Sequence, residues 1–307
     1  MTSLAALRDG GKRALAAALA AIESRAEDLD VQALLDEAWT AQAGVAIGLT
    51  GPPGVGKSTL ANALVKGLRA RGKTVAVAAV DPSSRASRGA ILGDRARIDA
   101  DPADPGVFVR SFAARDRLGG LADLAAPATV LFRALFDYVI IETVGVGQSE
   151  TEIADIADLV IFCAQPASGD ALQFMKAGVM EIPDLAVVTK SDMGVAARKA
   201  AADLKGSLAL AVRDGETPEV LTCSATTGEG LPQLLDAIDA RAGTLHGLRM
   251  IARRQAQGEA WVVQALKARF GREGYAALGD SAHLKRGESP FARERQAATI
   301  MRARGPL

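Results

Sequence analysis

The sequence predicts an α/β fold: a mainly parallel sheet with helices on both faces, carrying helical extensions at the two ends of the chain. Three observations predict it. Short runs rich in Val and Ile recur at 45–50, 74–80, 107–110, 138–142, 159–164, 185–189 and 220–223. They lack strict alternation, which suits strands buried on both faces. Helical stretches separate them, as crossovers between parallel strands require. In such sheets ligands bind beyond the carboxyl ends of the strands, so the residues just after each run are the informative ones.

Residues 1–43 read as an N-terminal helical extension. Leu15, Ala18, Leu19 and Ile22 fall at helical spacing, with Lys12, Arg13, Glu23 and Arg25 around them. A second helix is expected over 31–40, and Gly44 punctuates its end. Residues 44–242 carry all the strand runs and form the expected sheet domain. After Ala242 the runs stop. Residues 243–307 read as a C-terminal helical arm, in which Trp261, Val262, Leu266 and Phe270 make one apolar stripe.

Composition narrows the class. With 307 residues the chain can bury a core without disulfide staples. Aromatic residues are only 4% against 49% hydrophobic, so that core must be aliphatic. Cys163 and Cys223 are too few for a disulfide framework or a four-cysteine zinc site, and Cys163 lies in an apolar run as a small core residue. The start, MTSLAALRDGG, lacks the apolar stretch of a signal peptide, and no run is long enough to span a membrane. A cytoplasmic protein is expected. The basic C-terminal arm raises nucleic acid as a partner. Its arginines alternate with Glu and Ala through 292–298, which points instead to a helix surface or a protein contact, with no nucleic acid and no membrane.

The strongest motif is Gly51-Pro52-Pro53-Gly54-Val55-Gly56-Lys57-Ser58, which meets every fixed position of G-x-x-x-x-G-K-[ST]. A strand run ends at Thr50, and a helix begins near Ser58 with Leu60, Ala61, Leu64 and Leu68 on one face. Glycines let backbone N–H groups curl around phosphate oxygens, and the helix N-terminus adds its positive end. Gly51, Pro53, Gly54, Val55, Gly56, Lys57, Ser58 and Thr59 are therefore the expected phosphate contacts. Lys57 should reach the β- and γ-phosphates, and the Ser58 hydroxyl should ligate Mg²⁺.

Further acids stand at strand ends. The run 74–80 leads into Asp81, and 138–141 leads into Glu142. An apolar strand ending in a carboxylate resembles a Walker B element, whose acid holds Mg²⁺ directly or through water. Glu142, Asp81 and Asp94 are the candidate metal residues. For Asp81 the competing reading is a turn or cap, and for Asp94 a surface acid beside Arg95. Next comes the turn Gly145-Val146-Gly147-Gln148. Gly145 could turn its N–H onto a γ-phosphate and release it after hydrolysis, and Gln148 could orient the attacking water.

Two loops point to the base. The run 185–189 ends in Thr189-Lys190-Ser191-Asp192, which resembles the Asn/Thr-Lys-x-Asp guanine-specificity motif. A carboxylate such as Asp192 accepts from both the N1–H and the 2-amino group of guanine, and adenine offers neither there. The Lys190 stem can lie over the purine face. The usual first residue is Asn; the hydroxyl of Thr189 offers fewer hydrogen-bonding groups than an amide, so lower nucleotide affinity is expected. After the last run, Ser224-Ala225-Thr226 resembles the loop whose backbone meets guanine O6.

Taken together, these residues resemble the methylmalonyl-CoA mutase-associated GTPases, the MeaB/ArgK family. The resemblance rests on the phosphate loop, Asp81-Pro82-Ser83-Ser84, Ile91-Leu92-Gly93-Asp94-Arg95, the run 142–150 (ETVGVGQSE), and Gly169-Asp170-Ala171-Leu172-Gln173 with Lys176. It implies a P-loop NTPase G domain and a homodimer formed through the C-terminal arm. It implies a GTP hydrolase, using Mg²⁺, that gates cofactor loading and protects an adenosylcobalamin-dependent acyl-CoA mutase. Cobalamin then belongs to the partner rather than to this chain. The segment 108–136 and Phe174 depart from the family's pattern, which leaves open a methylmalonyl-CoA mutase or a related isomerase. Two alternatives stand beside this reading: a kinase of periplasmic amino-acid-binding proteins, and a metallochaperone GTPase. The second is disfavoured because His246 and His283 are the only histidines and form no His-rich tract.

Overall fold

The computed structural model describes residues 3–82, 98–99, 101–114, 124–143, 149–166, 181–211, 217–245 and 247–304. Its strands are β1 (Val45–Thr50), β2 (Val75–Pro82), β3 (Val107–Ala114), β4 (Tyr138–Glu142), β5 (Leu159–Ala164), β6 (Leu185–Thr189) and β7 (Glu219–Cys223). They form one parallel sheet in the order β3-β2-β4-β1-β5-β6-β7. All the expected runs are strands. The third runs further than the sequence suggests, to Ala114, because its pairing with β2 continues unbroken to Pro82 opposite Ala114. Every residue of β1, β5 and β6 is buried, the condition that hides strict alternation in the sequence.

The helices are α1 (Leu4–Ser24), α2 (Leu29–Thr40), α3 (Lys57–Ala70), α4 (Ala125–Leu135), α5 (Val195–Ala211), α6 (Leu231–Leu245), α7 (Leu248–Leu278) and α8 (Pro290–Arg304), with short helical turns between some of them. The chain divides into two compact units. One comprises 44–125 and 136–245 and holds the sheet; the other comprises 1–43, 126–135 and 246–307.

In the sheet unit, β1 is flanked by β4 on one side and β5 on the other. The chain builds one half of the sheet with β2, β3 and β4, then crosses β1 to build the other. That reversal of strand order opens a crevice at the carboxyl end of β1. Helix α3 buries Leu60, Ala61, Leu64 and Leu68. Its far end is clamped to α6 by Arg71, which reaches Asp236 at 2.6 Å and Asp239 at 2.7 Å. On the other side, Phe162, Ala186 and Val188 pack with Ala197, Leu204 and Leu208 of α5.

In the helical unit, Val262, Leu266 and Leu278 of α7 pack with Ala297 and Met301 of α8, and Trp261 meets Phe291 edge-on at 6.1 Å. The alternating arginines of α8 are not simply a solvated face. Arg293 is buried and donates to Glu288 from Nε at 3.0 Å and from its terminal nitrogen at 2.6 Å. Arg295 pairs with Asp36 of α2. Among the described residues, no helix is long and apolar enough to cross a membrane.

Candidate functional site

The site grows from the end of β1. Thr50 is the last strand residue, and the chain turns through 51–56 into the first residue of α3, Lys57. The turn needs glycine in two ways. Gly51, Gly54 and Gly56 have φ of 132°, 77° and 97°, values that side chains resist. At Gly51 there is also no room: an added Cβ would lie 2.2 Å from the Cys163 carbonyl oxygen. At Gly54 and Gly56 a Cβ would meet nothing within 4 Å, so there the glycines keep the concave side of the loop open. Pro53 and Gly54 are exposed, Val55 is buried beneath the loop, and Thr59 is exposed on the first turn of α3.

Lys57 is buried, and its ammonium donates to the carbonyls of Gly51 at 2.7 Å and Pro52 at 3.0 Å. The positive charge is thus held inside the loop that its own backbone forms. One residue on, the Ser58 hydroxyl donates to Glu142 Oε1. Glu142 ends β4 opposite Leu49 of β1 and Ala79 of β2. Two hard oxygen donors from separate elements therefore meet at the mouth of the phosphate loop. That pair fits Mg²⁺, which takes few protein oxygens and completes its shell with phosphate and water. Among the described residues no group of three or more His, Cys, Asp or Glu is placed to hold a metal. Asp81 lies in β2, two residues beyond Ala79, with its backbone opposite Ala113; its side chain is outside the described residues. Asp94, Gly145 and Gln148 lie outside them altogether. Just before the last two, the Thr143 N–H and hydroxyl both donate to the Leu49 carbonyl, at 3.3 and 3.2 Å.

The residues expected from sequence to meet the base leave the sheet next door. Thr189 of β6 stands opposite Cys223 of β7, so the loops after both strands start at one level. The Thr189 hydroxyl is buried and lies 2.6 Å from the Val55 carbonyl and 3.0 Å from the Ala164 carbonyl. Thr189, which departs from the usual Asn, thereby ties the end of β6 to the phosphate loop. Lys190 has φ of 57°, and its ammonium donates to Gln165 Oε1 at 2.5 Å. Asp192 is exposed in the short turn Ser191–Met193. In the neighbouring loop, the Ser224 hydroxyl accepts from the Thr227 N–H at 3.2 Å and the Ser224 carbonyl accepts from the Gly228 N–H at 2.8 Å. Ala225 is half-buried and Thr226 exposed at its tip.

Gln165 was not among the residues singled out from sequence. The only signal was its position, a polar side chain directly after a buried strand. The two cysteines sit under the site as inert filling. Burial pushes the Cys163 thiol up to about 12, partly opposed by Lys57, and pushes Cys223 up to about 11, with Glu229 adding to it. Burial thus holds both as neutral thiols at neutral pH, the form that is unreactive as a nucleophile.

Comparison with known proteins agrees with this geometry. The family described as methylmalonyl Co-A mutase-associated GTPase MeaB matches residues 15–277. A putative GTPase of Pyrococcus horikoshii is 39% identical over 243 residues, covering 76% of this chain and 74% of its own. The mitochondrial methylmalonic aciduria type A homolog of Mus musculus is 39% identical over 222 residues, 70% of this chain and 54% of its own. A crystal structure of a LAO/AO transport system kinase superposes with a TM-score of 0.67 at 30% identity, covering 97% of this chain and 96% of that one. With a phosphate loop at the switch point of a parallel sheet and a family match over most of its length, the chain belongs to the methylmalonyl-CoA mutase-associated GTPases of the MeaB family and is a P-loop GTP hydrolase.

Proposed function

We propose that this GTPase serves as a chaperone of an adenosylcobalamin-dependent acyl-CoA mutase, acting in the cytoplasm as a homodimer joined through its C-terminal arm, residues 243–307. GTP hydrolysis gates loading of the cofactor into the partner, and cobalamin is held by the partner. The observation that supports the nucleotide reading is the tie from Thr189 to the Val55 carbonyl, which joins the loop after β6 to the phosphate loop. The family description and the naming of the mouse relative support the mutase as partner.

In this reading the N–H groups of 51–59 and the Lys57 ammonium receive the triphosphate. Asp192 reads the guanine N1–H and 2-amino group, the Lys190 stem covers the ring, and the 224–226 backbone meets O6. Ser58 and Glu142 hold Mg²⁺, with Asp81 and Asp94 completing its surroundings. When bound, the ion neutralises charge on the β- and γ-phosphate oxygens. A water oriented by Gln148 attacks the γ-phosphorus, the bond to the β–γ bridging oxygen breaks, and GDP and inorganic phosphate leave. Lys57 and the loop N–H groups stabilise the charge that builds on those oxygens. Gly145 releases its hold once the γ-phosphate is gone.

The test is co-purification of the native partner, followed by its mutase assay with GTP, with GDP and with a non-hydrolysable analogue. Mutase captured and reactivated only when GTP can be hydrolysed supports the reading. Label from γ-phosphate recovered on a protein, rather than as free phosphate, overturns it in favour of the kinase that the superposed structure is named for.

A further inference from the structure

We propose that Gln165 is a positioning residue for the guanine ring, acting through Lys190. The inference rests on the guanine reading of 189–192 given above and goes one step beyond it. Lys190 is the one non-glycine residue with positive φ among the described residues. A side-chain-bearing residue stays in that region only where its surroundings hold it there. Here the hold is visible. The residue before it, Thr189, is tied through its hydroxyl to the Val55 and Ala164 carbonyls. The residue itself is tied through its ammonium to Gln165 Oε1. Its carbonyl accepts from the Met193 N–H at 3.0 Å. Consecutive residues of the base-side loop are therefore anchored on consecutive residues, Ala164 and Gln165, at the end of the neighbouring strand β5.

The consequence lies in the stem between the two anchors. A lysine side chain is four methylene groups ending in a charge, and in solvent it samples many rotamers. With the backbone fixed at one end and the ammonium fixed at the other, the apolar stem becomes a pre-ordered wall for a planar ring. The ordering that a bound purine would otherwise impose is already in place. An amide suits the task, because its oxygen accepts from the ammonium without adding a negative charge beside the ring. Gln165 thus acts on the ring face, and Asp192 reads the ring edge.

The test is nucleotide affinity by calorimetry on the full chain with Mg²⁺, using GDP, inosine diphosphate (which lacks the 2-amino group) and ADP. Gln165→Met keeps the length and apolar bulk but removes the acceptor. It should weaken GDP and inosine diphosphate by the same factor, about three- to tenfold, and raise KM for GTP rather than lower kcat. Gln165→Glu should restore affinity, with a steeper salt dependence. In a Lys190→Ala background, Gln165→Met should add nothing further, because its effect passes through that ammonium. Unchanged GDP affinity in Gln165→Met, or a full extra loss in the double variant, overturns the role of Gln165 and leaves the guanine reading standing. Equal GDP and ADP affinity in the unmodified protein overturns the guanine reading itself, and this inference with it.

Discussion

The two ends of the proposed nucleotide crevice are built by different means. The phosphate end is made from backbone within eight consecutive residues: three glycines at positive φ, and a lysine that folds onto the carbonyls of Gly51 and Pro52. The base end is made from side chains that reach across the sheet unit. Thr189 meets Val55, 134 residues away in sequence, and Lys190 meets Gln165, 25 residues away. At the base end a lysine as well as glycines takes positive φ: Lys190 at 57°, with Gly194 at 61° closing the same turn. A turn whose shape comes mostly from its own residues meets its neighbours at few points, here Gly51 against the Cys163 carbonyl and Val55 against the Thr189 hydroxyl. A turn held by distant partners depends on every strand between them, here β1, β5 and β6. The phosphate end should therefore fail by local steric or charge changes, and the base end by loss of single tethers.

The largest expected effect is at Gly51. Gly51→Ala places a methyl group against the Cys163 carbonyl, 2.2 Å away, at a φ of 132°. We expect a loss of about 2–4 kcal/mol in stability and no measurable nucleotide binding, read by thermal melting and calorimetry. Next is Lys57→Met. Removing the ammonium while keeping the stem should lower single-turnover GTP hydrolysis by about 100- to 1,000-fold, with the melting temperature little changed. Retained hydrolysis would show that the phosphate end does not rely on this charge.

Thr189→Val tests the base end. It is near-isosteric but leaves the Val55 and Ala164 carbonyls without the hydroxyl. The expected loss is about 1–3 kcal/mol in GDP binding, roughly 5- to 150-fold. Affinity for inorganic pyrophosphate, which touches only the phosphate end, should change far less. An equal loss for both ligands would erase the distinction between the two ends.

The smallest effect is a pH dependence that contrasts the thiols under each end. Cys163 lies beneath the phosphate loop and Cys223 beneath the base-side loop, with thiols pushed from 9.0 up to about 12 and about 11. The folded chain therefore keeps protons that the unfolded chain releases. Their contribution to stability is complete below about pH 9 and is lost as pH rises toward those values. A disulfide reagent titrated against rising pH should label Cys223 before Cys163, and neither at neutral pH. Fast labelling of both at pH 8 would contradict the burial that sets these values.

Legibility followed the same division. The α/β class, the seven strand positions and the loop 51–58 could be read directly, since buried strands leave apolar runs and glycine-lysine spacing reflects backbone geometry. Glu142 was legible as an acid ending a strand, and it stands against Ser58. Thr189 was legible as a departure but not as a tether: nothing near position 189 indicates that its hydroxyl faces Val55. The extra length of β3 was hidden, because Ser111 and Ala113 carry no strand signature of their own and are paired by β2. Arg293 looked like part of a charged surface and is buried on Glu288, since charge alternation does not say which side of a helix a neighbour covers. The helix α4 falls between strands in sequence and belongs with the helical unit.

By itself, the order of amino acids determined where backbone can bend, which stretches must be buried, and where a phosphate can be received, because each of these depends on residues within one or two turns of each other. Only the tertiary structure decided what holds the base-side loop in place and which arginines are internal. Those depend on strands being brought side by side, and a hydrogen bond between positions far apart along the chain leaves no periodic mark on either of them.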